Sequence, residues 1–307
     1  MVGQVGGPIG RGAPFGELVV AMVTPFAEDG RVDFDGVLAL ADFLVNDGCD
    51  GLVVCGTAGE SSTVSDREKE ALFRLVKGSA GNRAKVIAGT GSNDTAHSAQ
   101  LARVAASAGA DGQMVVAPYF TRPTQDGIFH HFSHVAAATD VPVMVYDVPA
   151  RAGIAIDTET IMRLADNPKI VALKDAKADF AAAVEVMTRT DLAVYAGDDA
   201  LSLPWLAAGA TGLVSVSAHA GPRRFRELIE AVNGSDLPRA RRIQRDLAPL
   251  IDAVMGRMPG AVAAKQVLKR RGILPSSTVR LPLVEPTEAA AAELFDDIVA
   301  AELAFAS

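Results

Sequence analysis

The sequence predicts an α/β chain that closes as a (β/α)8 TIM barrel with additional C-terminal helices, and three observations carry that prediction. Eight short runs rich in Val, Ile and Leu recur along the first three-quarters of the chain, at residues 18–23, 51–55, 85–88, 112–116, 142–146, 170–173, 192–195 and 212–216. They are apolar nearly throughout instead of alternating with polar residues, as parallel strands covered on both faces are. Helical stretches separate them, among them 66–77, 95–107 and 125–138, each following a Ser, Asp or Thr suited to capping a first turn. A parallel crossover places its helix outside the sheet, so eight such units in series favour a closed barrel; a doubly wound open sheet is the alternative.

Each part of the chain then takes a place. Residues 1–16, with glycines at 3, 6, 7, 10, 12 and 16, read as a flexible N-terminal arm; they lack the apolar stretch of a signal peptide. Residues 17–235 are the expected barrel. Residues 236–307 form the expected helical extension, with helices near 237–255, 261–271 and 287–305 that cover the barrel or build a subunit contact.

Composition narrows the function classes. The 307-residue length suits one barrel, and 49% hydrophobic residues supply a substantial core. A net charge of −8 argues against a nucleic-acid-binding surface, which needs a basic patch. No uninterrupted apolar stretch approaches bilayer length. Cys49 and Cys55 have neither disulfide-framework nor zinc spacing and read as small core residues. The expectation is a cytoplasmic protein without nucleic-acid or membrane partners.

Barrel enzymes place their chemistry where the strands end and the βα loops begin. Along that edge lie Gly56-Thr57-Ala58-Gly59-Glu60 after the second strand and Pro118-Tyr119-Phe120 after the fourth. Tyr146-Asp147-Val148-Pro149-Ala150-Arg151 follows the fifth, Lys174 closes the sixth and Gly197-Asp198-Asp199 the seventh, while Val214 and Ser215 lie in the eighth. Lys174 stands at the end of the apolar run Ile170-Val171-Ala172-Leu173. An amine delivered into a dry cleft is a route to Schiff-base chemistry, because desolvation disfavours an ammonium. Taken alone, such a lysine is more simply a packed stem with a solvated head. The tyrosine, arginine and hydroxyls on the same rim favour the chemical reading.

These motifs, together with Thr24-Pro25-Phe26, Ala88-Gly89-Thr90-Gly91 and Leu173-Lys174-Asp175, resemble the dihydrodipicolinate synthase/N-acetylneuraminate lyase family of pyruvate-dependent class I aldolases. The resemblance spans residues 18–283, and Lys174-Asp175-Ala176, Gly197-Asp198-Asp199 and Arg151 are closer to the synthase branch. It implies a lyase that condenses pyruvate with L-aspartate 4-semialdehyde to 4-hydroxy-tetrahydrodipicolinate, a step toward diaminopimelate and lysine. Lys174 would form the imine, Tyr146 would act as general acid and base, and Thr57 would continue the proton relay. Ala58, Arg151, Gly197, Val214 and Phe120 would contact substrate, Arg151 through the aldehyde's carboxylate. No metal or organic cofactor is implied, since the imine of pyruvate with Lys174 is the electron sink. A homotetramer or dimer is implied.

Two departures from the synthases qualify the substrate. Ala58 stands where a second threonine is usual, and Phe120 where a tyrosine from a neighbouring subunit usually completes the relay. Alternatives are therefore a related aldolase acting on another 4-hydroxy-2-oxo acid, or a catalytically silent pyruvate binder. Ser61, Asn93 and Tyr119 resemble a lysine-effector site in which His97 replaces a glutamate, so weak lysine feedback is expected. The remaining signals carry less. His130, His131 and His134 lack the glutamate of a zinc helix and read as core-edge or solvated. Glu60 reads as a structural acceptor for backbone amides, and Asp199 as a helix cap.

Overall fold

The computed structural model describes residues 12–305. Eight parallel strands form a closed barrel in chain order: β1 (Leu18–Ala21), β2 (Gly51–Val54), β3 (Lys85–Gly89), β4 (Gly112–Val116), β5 (Val143–Asp147), β6 (Ile170–Asp175), β7 (Ala193–Ala196) and β8 (Gly212–Ser215), with β8 returning to β1. Every expected strand is present, its bounds shifted by at most two residues. Side chains of these strands are almost wholly buried on both faces, which is why their sequences look continuously apolar.

Helix entries follow from local chemistry. The helix Asp66–Ala80 opens on a capping box, with Ser65 accepting from the Glu68 amide while the Glu68 carboxylate accepts from the Ser65 amide. Asp94 and Thr124 cap the helices Thr95–Ser107 and Gln125–Ala137 more simply, their side chains accepting from the amides of Ala96 and Gly127. The extension consists of Leu237–Gly256, Gly260–Arg270 and Glu288–Phe305. Gly260–Arg270 packs on the short turn Ser217–Ala220 that follows β8, so the extension covers one side of the barrel mouth.

The floor is closed from the N-terminal side. Residues 1–11 of the expected arm lie outside the described residues, whereas Phe15 is completely buried. A Cβ on Gly112 would lie 2.2 Å from the Phe15 ring, so glycine at the start of β4 makes room for this plug. Among the described residues no helix is long and apolar enough to cross a membrane.

Candidate active site

Lys174 and Tyr146 are register partners across the β5–β6 ladder. Alternation along each strand turns both side chains into the barrel mouth, where they are 4% and 5% exposed. Lys174 Nζ stands 4.2 Å from the Tyr146 ring centroid. Among the described residues it makes no ion pair or hydrogen bond. Gly197, at the end of β7, is what lets the lysine stem pass: a Cβ there would lie 3.0 Å from Lys174 Cε and 2.9 Å from the Asp175 carbonyl oxygen.

A cavity of about 480 Å³ opens above this pair, within the range of small-molecule sites. Thr57, Ala58, Tyr146, Arg151, Lys174 and Gly197 line it, so six of the residues singled out from the sequence meet around one space. Tyr146, Thr57 and Arg151 also line an adjoining pocket that contains Ser61 and Tyr119. Thr57 is exposed at the rim, and among the described residues no hydrogen bond joins it to Tyr146.

Two expected contacts fall elsewhere. Val214 is fully buried in the barrel interior, paired with Val19 in the β1–β8 ladder. Two residues on, one layer nearer the mouth, Val216 lines the cavity in its place. Phe120 is 87% exposed and does not line the cavity of its own chain. Its backbone sits at φ 71°, a left-handed conformation uncommon for an aromatic residue.

The loop carrying Thr57 and Ala58 is held by contacts that sequence reasoning missed. Cys55 and Glu60 both adopt positive φ, at 57° and 55°, and so bend the loop tightly. The Glu60 carboxylate accepts from Lys265 Nζ at 2.5 Å and from the Arg280 amide at 2.8 Å. Glu60 is thus a structural acceptor, as its position suggested, but its main partner is a wholly buried lysine 205 residues away. Burial pushes the Lys265 amine down to about 8, against the opposing pull of Glu60. Lys265 Nζ also donates to the Thr278 carbonyl, so the pair ties the rim to the extension.

A scan of the whole chain matches the dihydrodipicolinate synthetase family over residues 14–301. The chain belongs to that family. The 4-hydroxy-tetrahydrodipicolinate synthase of Kineococcus radiotolerans is 48% identical to it, covering 95% of this chain and 94% of its own length. The enzyme of the same name from Corynebacterium jeikeium is also 48% identical, covering 94% and 96%. Among solved structures, dihydrodipicolinate synthase from Aquifex aeolicus superposes with a TM-score of 0.90 at 36% identity, covering 94% of this chain and 99% of that one. A Cyanidioschyzon merolae synthase with lysine bound gives 0.91 at 38%, covering 94% and 99%. Members of this dihydrodipicolinate synthetase family are Schiff-base lyases, and this chain is a lyase of that class.

Other polar groups near the mouth of this family member are structural. Asp199 does not cap a helix; it reaches across to accept from the amides of Val216 and Ser217, joining the loops after β7 and β8. Asp198 caps instead, accepting from the Ala200 amide. His219 is fully buried: Nε2 accepts from the Val23 amide and Nδ1 donates to the Val216 carbonyl. Burial holds its pKa down at about 4. His97 is engaged by Asp66 at 2.9 Å. Buried His131 meets Thr95 through Nδ1, and no group of three or more metal-ligating side chains is present among the described residues.

Proposed function

We propose that this chain is a 4-hydroxy-tetrahydrodipicolinate synthase that condenses pyruvate with L-aspartate 4-semialdehyde. The observation that carries the reading is a buried lysine amine, free of any carboxylate partner among the described residues, 4.2 Å from a tyrosine ring in a cavity with an arginine at its edge.

In this reading Lys174 Nζ adds to the keto carbon of pyruvate, and loss of water leaves an imine. Removal of a methyl proton moves an electron pair into the C–C bond and gives an enamine. The enamine carbon attacks the aldehyde, whose oxygen takes up a proton; the amino group of the aldehyde substrate then displaces Lys174 from the imine carbon, which closes the product ring and regenerates the amine. No organic cofactor or metal is needed, because the imine nitrogen takes up the electron pair. Tyr146 carries the protons. An ordinary phenol is a sluggish base at neutral pH, so it exchanges with Thr57 through a hydrogen bond made only in the substrate complex. Arg151 offers a guanidinium fork to the aldehyde's carboxylate. Amides around Ala58 hold the carboxylate of pyruvate.

The exposed Phe120 ring, displayed on a strained backbone, fits a surface that meets a second copy, and a dimer or homotetramer is proposed. Cys49 and Cys55 are both free and buried, which suits the cytoplasm. A second reading, turnover of a different aldehyde to another 4-hydroxy-2-oxo acid, is favoured by the missing hydroxyls at Ala58 and Phe120. Borohydride trapping with pyruvate, followed by peptide mass spectrometry, tests the chemistry. The expected adduct is on Lys174, with turnover of aspartate semialdehyde, and Lys174→Arg abolishes both. An adduct with turnover of another aldehyde only supports the second reading; an adduct with no turnover supports a silent binder.

A further inference from the structure

Arg151 sits on a short helical turn, Pro149–Ala152, inside the segment that connects β5 to the buried residue Ile156. That segment is fastened at both ends by one pair of side chains outside the barrel interior. Asp147 follows Tyr146 in β5 and therefore points to the opposite face. It is completely buried, and its Oδ1 accepts from the Ile156 amide at 3.2 Å. Its Oδ2 has no hydrogen-bond partner among the described residues and stands 3.8 Å from Lys177 Nζ. Lys177 Nζ in turn donates to the Ile156 carbonyl at 3.4 Å, while the Lys177 amide donates to Asp175 Oδ1 at 2.8 Å. Thus one lysine and one aspartate grip both the amide and the carbonyl of Ile156. Lys177 is itself fixed to the strand that carries Lys174.

Simple neutralisation of Asp147 would require only the 3.8 Å contact. The added grip on Ile156 does something more, because it fixes the distance between the β6 edge and the turn that presents Arg151. On its other side the turn is met by the Phe120 amide, which donates to the Ala152 carbonyl. The turn therefore has one buried anchor and one rim anchor.

Resting on the proposed role of Arg151, we infer that Lys177, acting with Asp147, is a positioning residue that sets the Arg151 turn for the second substrate and has no part in forming the pyruvate imine. Lys177→Met keeps the stem and removes the charge. It is expected to raise KM for aspartate semialdehyde about tenfold, since small misplacements of a binding group are costly. KM for pyruvate and the yield of borohydride-trapped imine stay unchanged, and Lys177→Arg recovers most of the loss. Arg151→Ala is run beside it. If Arg151→Ala leaves the aldehyde KM unaltered, the assignment of Arg151 fails. If Arg151→Ala raises it and Lys177→Met does not, the inference about Lys177 fails alone. A fall in imine yield in parallel with the KM change would show a general structural role and overturn the inference. Should Lys177→Met not fold, Asp147→Asn, which retains the Oδ1 acceptor, is expected to give the same aldehyde-selective change at about threefold; its absence would overturn the inference equally.

Discussion

The two ends of the barrel are built on opposite rules. At the floor, Asp50 Oδ2 accepts from the amides of Glu17 and Leu18 and also pairs with Arg226. Arg226 further donates to the Gly48 carbonyl, and the Tyr195 hydroxyl donates to the Gly16 carbonyl. Phe15 seals the space between them. At the mouth, Lys174 Nζ has no ion-pair partner and Asp147 Oδ2 no hydrogen bond among the described residues. Of the six described non-glycine residues with positive φ, five lie in loops after β2, β4 and β6: Cys55, Glu60, Phe120, Arg122 and Ala178. Unmet polar groups and bent backbone are costs that a fold sheds unless a site uses them. The floor supplies stability; the mouth spends part of it on a reactive geometry.

If that division holds, substitutions at the two ends separate activity from stability. The largest effect is expected for Tyr146→Phe, which keeps the ring beneath Lys174 but removes the proton carrier. A fall in kcat of about 10²–10⁴-fold is expected, the range of acid–base catalysis, with the melting temperature unchanged. Steady-state kinetics and calorimetry on the same preparation check it, and a matching loss of stability would break the comparison. Gly197→Ala comes next. Its new methyl would press on Lys174 Cε and displace the amine, and about a 10²-fold loss in kcat is expected for a shift near an ångström. Borohydride trapping should slow in proportion.

Asp50→Ala is the floor's counterpart. It strips an acceptor from two backbone amides and leaves Arg226, a mostly covered guanidinium, with Glu17 as its one acidic partner among the described residues. An expected loss of about 2–3 kcal/mol in unfolding free energy follows from unsatisfied donors of this kind. Denaturant titration reads the loss, and kcat within twofold of the parent would place the effect at the floor alone.

Much of this was legible in the sequence, and the reason lies in distance along the chain. Eight apolar runs and their spacing locate the barrel because strand and helix signals are local. Lys174 and Tyr146 each end a strand, so the rule that barrel chemistry gathers at strand ends brings them together before any coordinates. Contacts that depend on remote partners were not legible. Lys265 is the one charge in the run Ala261-Val262-Ala263-Ala264-Lys265-Gln266-Val267-Leu268, and only the fold brings it to Glu60. Phe15 sits in a glycine-rich stretch that resembles a tail, and nothing near it announces the hole it fills. The expected contact at Val214 shows a finer limit: period-two alternation puts Val214 and Val216 on one face, and depth within the barrel decides which reaches the cavity.

The smallest expected effect is in the pH dependence of stability, where buried groups of opposite sign overlap. Burial holds His219 and His131 down at about 4, so between pH 6.5 and 4 the unfolded chain binds more protons at these sites. Their contribution is complete above pH 6.5 and is lost as the pH falls toward 4. Protonating His219 would also set a new N–H against the Val23 amide it now accepts from. Asp147 acts the other way. Burial pushes its carboxyl up to about 7, opposed by the Ile156 amide and Lys177, so between pH 7 and 3.8 the folded chain binds the extra proton. Its contribution is complete below pH 3.8 and is lost as the pH rises through 7. Over pH 6.5–5 the carboxyl therefore offsets part of the loss from the histidines, and the parent protein should show a shallow acid limb. Asp147→Asn cannot titrate and removes the offset, so its stability should fall more steeply over that interval, by about 1–2 kcal/mol relative to the parent. Denaturant midpoints at half-unit pH steps measure the difference in slope. Parallel curves would mean that Asp147 is already ionised in the fold, held so by Lys177 at 3.8 Å, and that the mouth carries a buried ion pair where it otherwise holds a neutral acid.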